Sequence, residues 1–90
     1  MANHKSALKA HRQNRIRRER NRVERSRLRT VIKKYRKAVA EGDVEQAKTL
    51  LPDTLSMLDR TAQRRAIHPN AADRTKGRLT RALARMASAS

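Results

Sequence analysis

The chain has 90 residues, 24 of them Lys or Arg against 8 Asp or Glu, a formal net charge of +16, one aromatic residue and no Cys. That length allows one small domain with a thin aliphatic core. The composition excludes a disulfide framework and a Cys-based zinc site, and no apolar run is long enough to span a bilayer. Nothing after Met1 resembles the apolar stretch of a signal peptide, so a cytoplasmic location is expected.

Residues 1–37 hold 15 basic side chains against Glu19 and Glu24, a net +13, and no Gly or Pro. A helix can hold this whole run, and it is expected from about Ser6 to Ala40, ending before Gly42. Its apolar residues thicken toward the C-terminal end as Leu28, Val31, Ile32, Tyr35, Ala38 and Val39, whereas only Leu8, Ile16 and Val23 lie upstream. Tyr35 falls on this stripe and reads as core.

Residues 38–59 net −4, and residues 60–90 net +7. Asp43, with Gln46 three residues on, reads as the N-cap of a second helix over Val44–Ala66. Val44, Ala47, Leu51, Leu55, Leu58 and Ala62 lie on one helical face, widened by Leu50 and Met57. Pro52 interrupts the stripe without shifting its phase, which predicts one kinked helix rather than two. Ile67 to Asn70 reads as a turn, followed by a third helix over Ala71–Ala87 with the stripe Ala72, Leu79, Ala82, Leu83 and Met86. Residues 88–90 read as a frayed tail.

The expected fold is all-α: a three-helix bundle with a long, protruding basic N-terminal helix. At 1.5 Å per residue the first helix is roughly 50 Å long against about 35 and 25 Å for the others, so its N-terminal part must project. Two basic ends around an acidic middle predict one face toward a polyanion and one toward solvent.

A segment of +13 repels itself unless a dense array of negative charge lies beside it, and a nucleic acid backbone is the commonest such array. Arg supplies planar bidentate donors for phosphate, and Gln13, Asn14 and Asn21 add neutral donors and acceptors for sugars or base edges. Charge alone does not choose between RNA and DNA. The stretch from Asn14 to Arg29 echoes a leucine-zipper basic region, but only about two heptads follow it before Gly42. With Tyr35 alone among aromatics, base stacking on single strands is not the binding mode.

His4 and His11 are seven apart with no acid near them, so no metal site is expected; His68, in the turn beside the basic third helix, could reach phosphate. No nucleophile motif or glycine-rich phosphate loop is present, and so thin a core leaves no room for a concave pocket. We therefore expect no enzyme, no cofactor, no small-molecule substrate and no obligate homo-oligomer. The basic half of the first helix lacks the continuous apolar face that membrane-surface binding needs.

The sequence also resembles a known family. The opening Ala2-Asn3-His4-Lys5-Ser6-Ala7, the stretch Arg29-Thr30-Val31-Ile32-Lys33-Lys34, Ala40-Glu41-Gly42-Asp43, Leu58-Asp59-Arg60 and the run from Ile67 to Leu79 are similar, in order and spacing, to the bacterial small-subunit ribosomal proteins of the S-twenty family. The resemblance implies a three-helix bundle that binds 16S ribosomal RNA early in small-subunit assembly, among other small-subunit components. By position it implies RNA contacts from Asn3, Lys5, Ser6, Lys9, Arg12, Asn14, Arg15, Arg17, Arg18, Arg20, Asn21, Arg22, Arg25, Arg29, Thr30, Lys33 and Lys34 in the first helix. It implies further contacts from His68, Asn70, Arg74, Lys76 and Arg78. Residues 1–22 would then be a basic extension ordered by RNA, and 23–87 the bundle. The chain departs from the family in having Pro69 where Lys is frequent, and in its preference for Arg over Lys. The competing reading is a free DNA-binding protein of the nucleoid type.

Overall fold

A computed structural model describes residues 2–89, with side chains described from Ser6 to Ser88. Among the described residues there are three helices and no strand: α1 (Ala2–Ala40), α2 (Val44–Gln63) and α3 (Pro69–Ala89). The chain measures 68 × 19 × 15 Å with a radius of gyration of 17.9 Å. A compact domain of this length would have a radius of about 12 Å, and α1, about 58 Å long, accounts for the difference. Every side chain from Ser6 to Arg20 is exposed, so this part of α1 protrudes as the relative helix lengths predict.

Two turns of one design reverse the chain. At the end of α1, Gly42 has φ 73°, its N–H bonds to the Val39 carbonyl at 3.1 Å, and the Asp43 N–H bonds to the Ala38 carbonyl at 3.0 Å. This is a Schellman cap, in which a left-handed residue satisfies the last carbonyls of the helix. Asp43 then accepts from the Gln46 N–H at 3.1 Å, the N-cap the sequence indicates.

The second turn differs from expectation. Helix α2 stops at Gln63 rather than near Ala66. Arg65 has φ 60°, its N–H bonds to Ala62 at 3.0 Å and that of Ala66 to Thr61 at 3.1 Å. The Schellman cap is repeated with Arg in the left-handed position, which a side chain occupies at a cost of roughly 1–2 kcal/mol. Helix α3 starts earlier than expected, at Pro69, because proline suits the first helical position and His68 caps it. The His68 Nδ1 accepts from the Asn70 N–H at 3.1 Å, so the ring proton of a neutral His68 lies on Nε2.

The core sits where the three helices overlap. Leu28, Tyr35 and Ala38 of α1, Ala47 and Leu58 of α2, and Ala72 and Leu79 of α3 are buried, with Ile32, Leu50, Leu51, Leu55, Met57 and Leu83 packed around them. Helix α2 lies between the other two, which make few direct contacts; across them the Tyr35 hydroxyl donates to the Leu79 carbonyl at 2.6 Å. Two buried positions of α2 are polar, Thr54 and Thr61. Their hydroxyls donate to the carbonyls of Leu50 and Met57, at 2.8 and 2.7 Å, so neither is left without a partner inside the core. Helix α2 runs unbroken through Pro52, which is exposed, so the backbone carbonyl it leaves unbonded can be hydrated.

Candidate nucleic-acid interface

The cationic residues of α1 divide by exposure. Lys9, Arg12, Arg15, Arg17, Arg18 and Arg20 lie on the protruding part, with Ser6 and Asn14, and all are exposed. Arg22, Arg29, Thr30, Lys33 and Lys34 continue as exposed residues alongside the bundle, while Asn21 and Arg25 are half-buried. The side chains of Asn3 and Lys5 lie outside the described residues. Glu19 is the only acid among the exposed side chains from Ser6 to Lys34, and it stands 3.9 Å from Arg22 in a solvated pair of little energetic weight.

The fold brings the α2–α3 corner against the middle of α1. Arg25 Nη1 donates to the Ala66 carbonyl at 3.3 Å, and Arg64 Nη1 donates to Glu24 Oε1 at 2.7 Å. Contrary to the expectation that so thin a core leaves no concave pocket, Arg17, Arg20 and Asn21 of α1 share a cleft of about 800 Å³ with Arg64 and Arg65, formed between surface side chains rather than within the core. His68 and Asn70 are exposed at the start of α3, and His68 lines a neighbouring groove together with Arg65. Arg74 and Arg78 follow as exposed residues of α3.

Besides His68, which caps α3, three of the expected RNA-contacting side chains also carry structure. Lys76 is half-buried and its Nζ donates to Asp59 Oδ1 at 2.8 Å, joining α3 to α2. That bond holds the ammonium pKa above the usual lysine value, against desolvation that lowers it, with the charges of Asp59 and Asp73 adding attraction. Arg25 fastens Ala66, and Thr30 donates to its own helix at the Ser26 carbonyl, 3.1 Å away.

Sequence reasoning missed Arg64, Arg65 and Glu24. Glu24 is nine-tenths buried inside a basic stretch, where its charge disguised it as a surface residue. Its spacing of four from Leu28, a core residue, was the available signal. Arg64 and Arg65 fell inside the expected second helix, and no glycine marked the turn.

The acidic residues Glu41, Asp43, Glu45 and Asp53 are all exposed; the first three lie at the α1–α2 turn, the end of the bundle far from the protruding segment. No helix among the described residues is long and apolar enough to cross a membrane.

An all-α fold that projects one arginine-studded helix and keeps the acidic cluster of Glu41, Asp43 and Glu45 at the opposite end is, as a class, a basic structural protein made to lie on a polyanion. The family profile described as Ribosomal protein S20 matches residues 2–84. Over 87 residues the chain is 47% identical to small ribosomal subunit protein bS20 of Maridesulfovibrio salexigens, covering 97% of this chain and 100% of the relative. Against the protein of the same name from Magnetococcus marinus it is 52% identical over 79 residues, 88% of this chain and 86% of the relative. Against that of Desulfatibacillum aliphaticivorans it is 47% identical over 81 residues, 90% and 92% of the two chains. The chain belongs to the ribosomal protein S20 family. It is accordingly a structural, non-enzymatic constituent of the small ribosomal subunit, located on the cytoplasmic ribosome.

Proposed function

We propose that the protein binds 16S ribosomal RNA directly and stabilises its fold while the small subunit assembles. The observation that carries this reading is the protruding part of α1, where every side chain from Ser6 to Arg20 is exposed and the only carboxylate is Glu19. Such a helix gains nothing from the bundle, and phosphates remove the repulsion that opposes it. Residues 1–22 are then an extension ordered by RNA, with the bundle as a rigid base that fixes its direction. Phosphate contacts come from Lys5, Lys9 and the arginines from Arg12 to Arg29, continuing through Lys33 and Lys34. Asn3, Ser6, Asn14, Asn21 and Thr30 reach sugars or base edges. On α3 the contacts are His68 through Nε2, Asn70, Arg74, Arg78 and the remaining donors of Lys76. Other small-subunit components are neighbours in the particle.

Competition distinguishes this from binding to DNA. In moderate salt, labelled protein on 16S RNA should resist duplex DNA supplied at equal phosphate concentration, and it should co-sediment with 30S particles through high salt. Equal competition by DNA would overturn the proposal.

A further inference from the structure

We infer that the cleft between α1 and the α2–α3 corner is a preformed grip for one stretch of RNA phosphate backbone, with Arg64 and Arg65 as contacts. This rests on the RNA-binding reading above and assigns residues that neither the charge pattern nor the family resemblance supplied.

Four guanidinium groups and the Asn21 amide line the cleft, and no carboxylate does. The walls come from separate parts of the chain, Arg17 and Arg20 from α1, Arg64 and Arg65 from the corner. Glu24, which pairs with Arg64, lines not this cleft but the adjoining cavity, with Arg27, Met57, Arg60, Thr61 and Arg64, so Arg64 borders both. Glu24 holds one end of the Arg64 guanidinium, Nη1, at 2.7 Å, with its own side chain only 12% exposed. Arg64 remains 57% exposed and keeps its other N–H donors for a ligand. The Arg25 bond to the Ala66 carbonyl fixes the same corner to α1, so the donors are positioned before a ligand arrives.

Arg65 carries the second, independent observation. The chain builds the same cap twice, with Gly42 at φ 73° and Arg65 at φ 60°. Glycine meets this backbone requirement without strain. The Arg65 side chain is exposed and makes no hydrogen bond or ion pair among the described residues, so the fold does not need it. Strain of this kind, retained beside a cluster of like charge, marks a side chain kept for a ligand. Planar guanidinium groups and the lack of an aromatic residue in the cleft select phosphate rather than a stacked base.

The test uses full-length Arg65→Gly, with Arg12→Ala on the protruding segment as a control, and 16S RNA as the ligand. Arg65→Gly should melt at the same or a higher temperature than wild type, lose about tenfold in affinity, and lower the log–log salt slope by about 1. Wild-type affinity and slope in Arg65→Gly, with binding weakened in Arg12→Ala, would overturn the grip and leave the RNA-binding reading standing. Wild-type affinity in both variants would likewise overturn the grip, whereas no measurable binding of 16S RNA by the wild-type protein would overturn the RNA-binding reading as well. Should Arg65→Gly melt lower, Arg17→Gln on the exposed opposite wall decides: it must reproduce the drop in slope, and an unchanged slope overturns the grip.

Discussion

The hydroxyl of Tyr35 donates to the Leu79 carbonyl at 2.6 Å, and no solvent reaches the Tyr35 side chain. This bond ties α1 directly to α3, although each of them packs more extensively on α2. Together with the packing of both helices on α2, it fixes the basic segment relative to the α3 end of the proposed RNA surface. Tyr35→Phe keeps the ring packing and removes the bond, so it should cost about 0.5–1.5 kcal/mol in stability, read from chemical denaturation. A loss well above this range would mean that the hydroxyl does more than bond across the interface.

Alkaline pH should weaken the fold from two directions. Burial pushes the Tyr35 phenol above its usual value, the Leu83 backbone working the other way, and the Asp59 bond raises Lys76. Both folded pKa values exceed the unfolded ones, so both contributions are complete below about pH 10 and fade as pH rises through the folded values. Tyr35 is the chain's one aromatic residue, so phenolate absorbance reports it alone. Ionisation should begin above the pH of free tyrosine and accompany unfolding; ionisation at the free value in a folded protein would contradict the buried hydrogen bond.

Leu58 is 1% exposed at the centre of the core, whereas Leu55 is half-buried beside it. A carboxylate at Leu58 would be buried without a partner, at a penalty of several kcal/mol that rivals the stability of so small a domain. Leu58→Asp should therefore lose both its circular-dichroism melting transition and its RNA binding, and Leu55→Asp should be weakened less. A Leu58→Asp protein that folds and binds normally would refute the core assignment.

Much of this was legible from residue type and spacing. Leu28, Tyr35 and Ala38 repeat at helical intervals, and the Asp43 and Gln46 pair marks a helix start with short-range chemistry alone. What escaped depends on partners distant in sequence. Glu24 is buried because Arg64, forty residues away, meets it. Thr54 and Thr61 look like surface residues until their hydroxyls turn back to their own helix. The second turn was hidden because Arg65 takes a conformation usually announced by glycine, and His68 caps a helix through its ring.

The extension should gain protection only with RNA. Amides from Ser6 to Arg22 carry side chains with almost no packing, so in the free protein they should exchange with little slowing compared with those around Tyr35 and Leu58. Adding 16S RNA should slow them markedly. Strong protection across Arg12–Arg22 without RNA would show that the helix is stable by itself.

The salt dependence of 16S RNA affinity tests the central claim most directly, that exposed cations on α1 and the corner grip phosphates. If about six to ten phosphates are neutralised, affinity should fall roughly 10³–10⁵-fold between 50 and 200 mM salt. A nearly flat response over that range would contradict it.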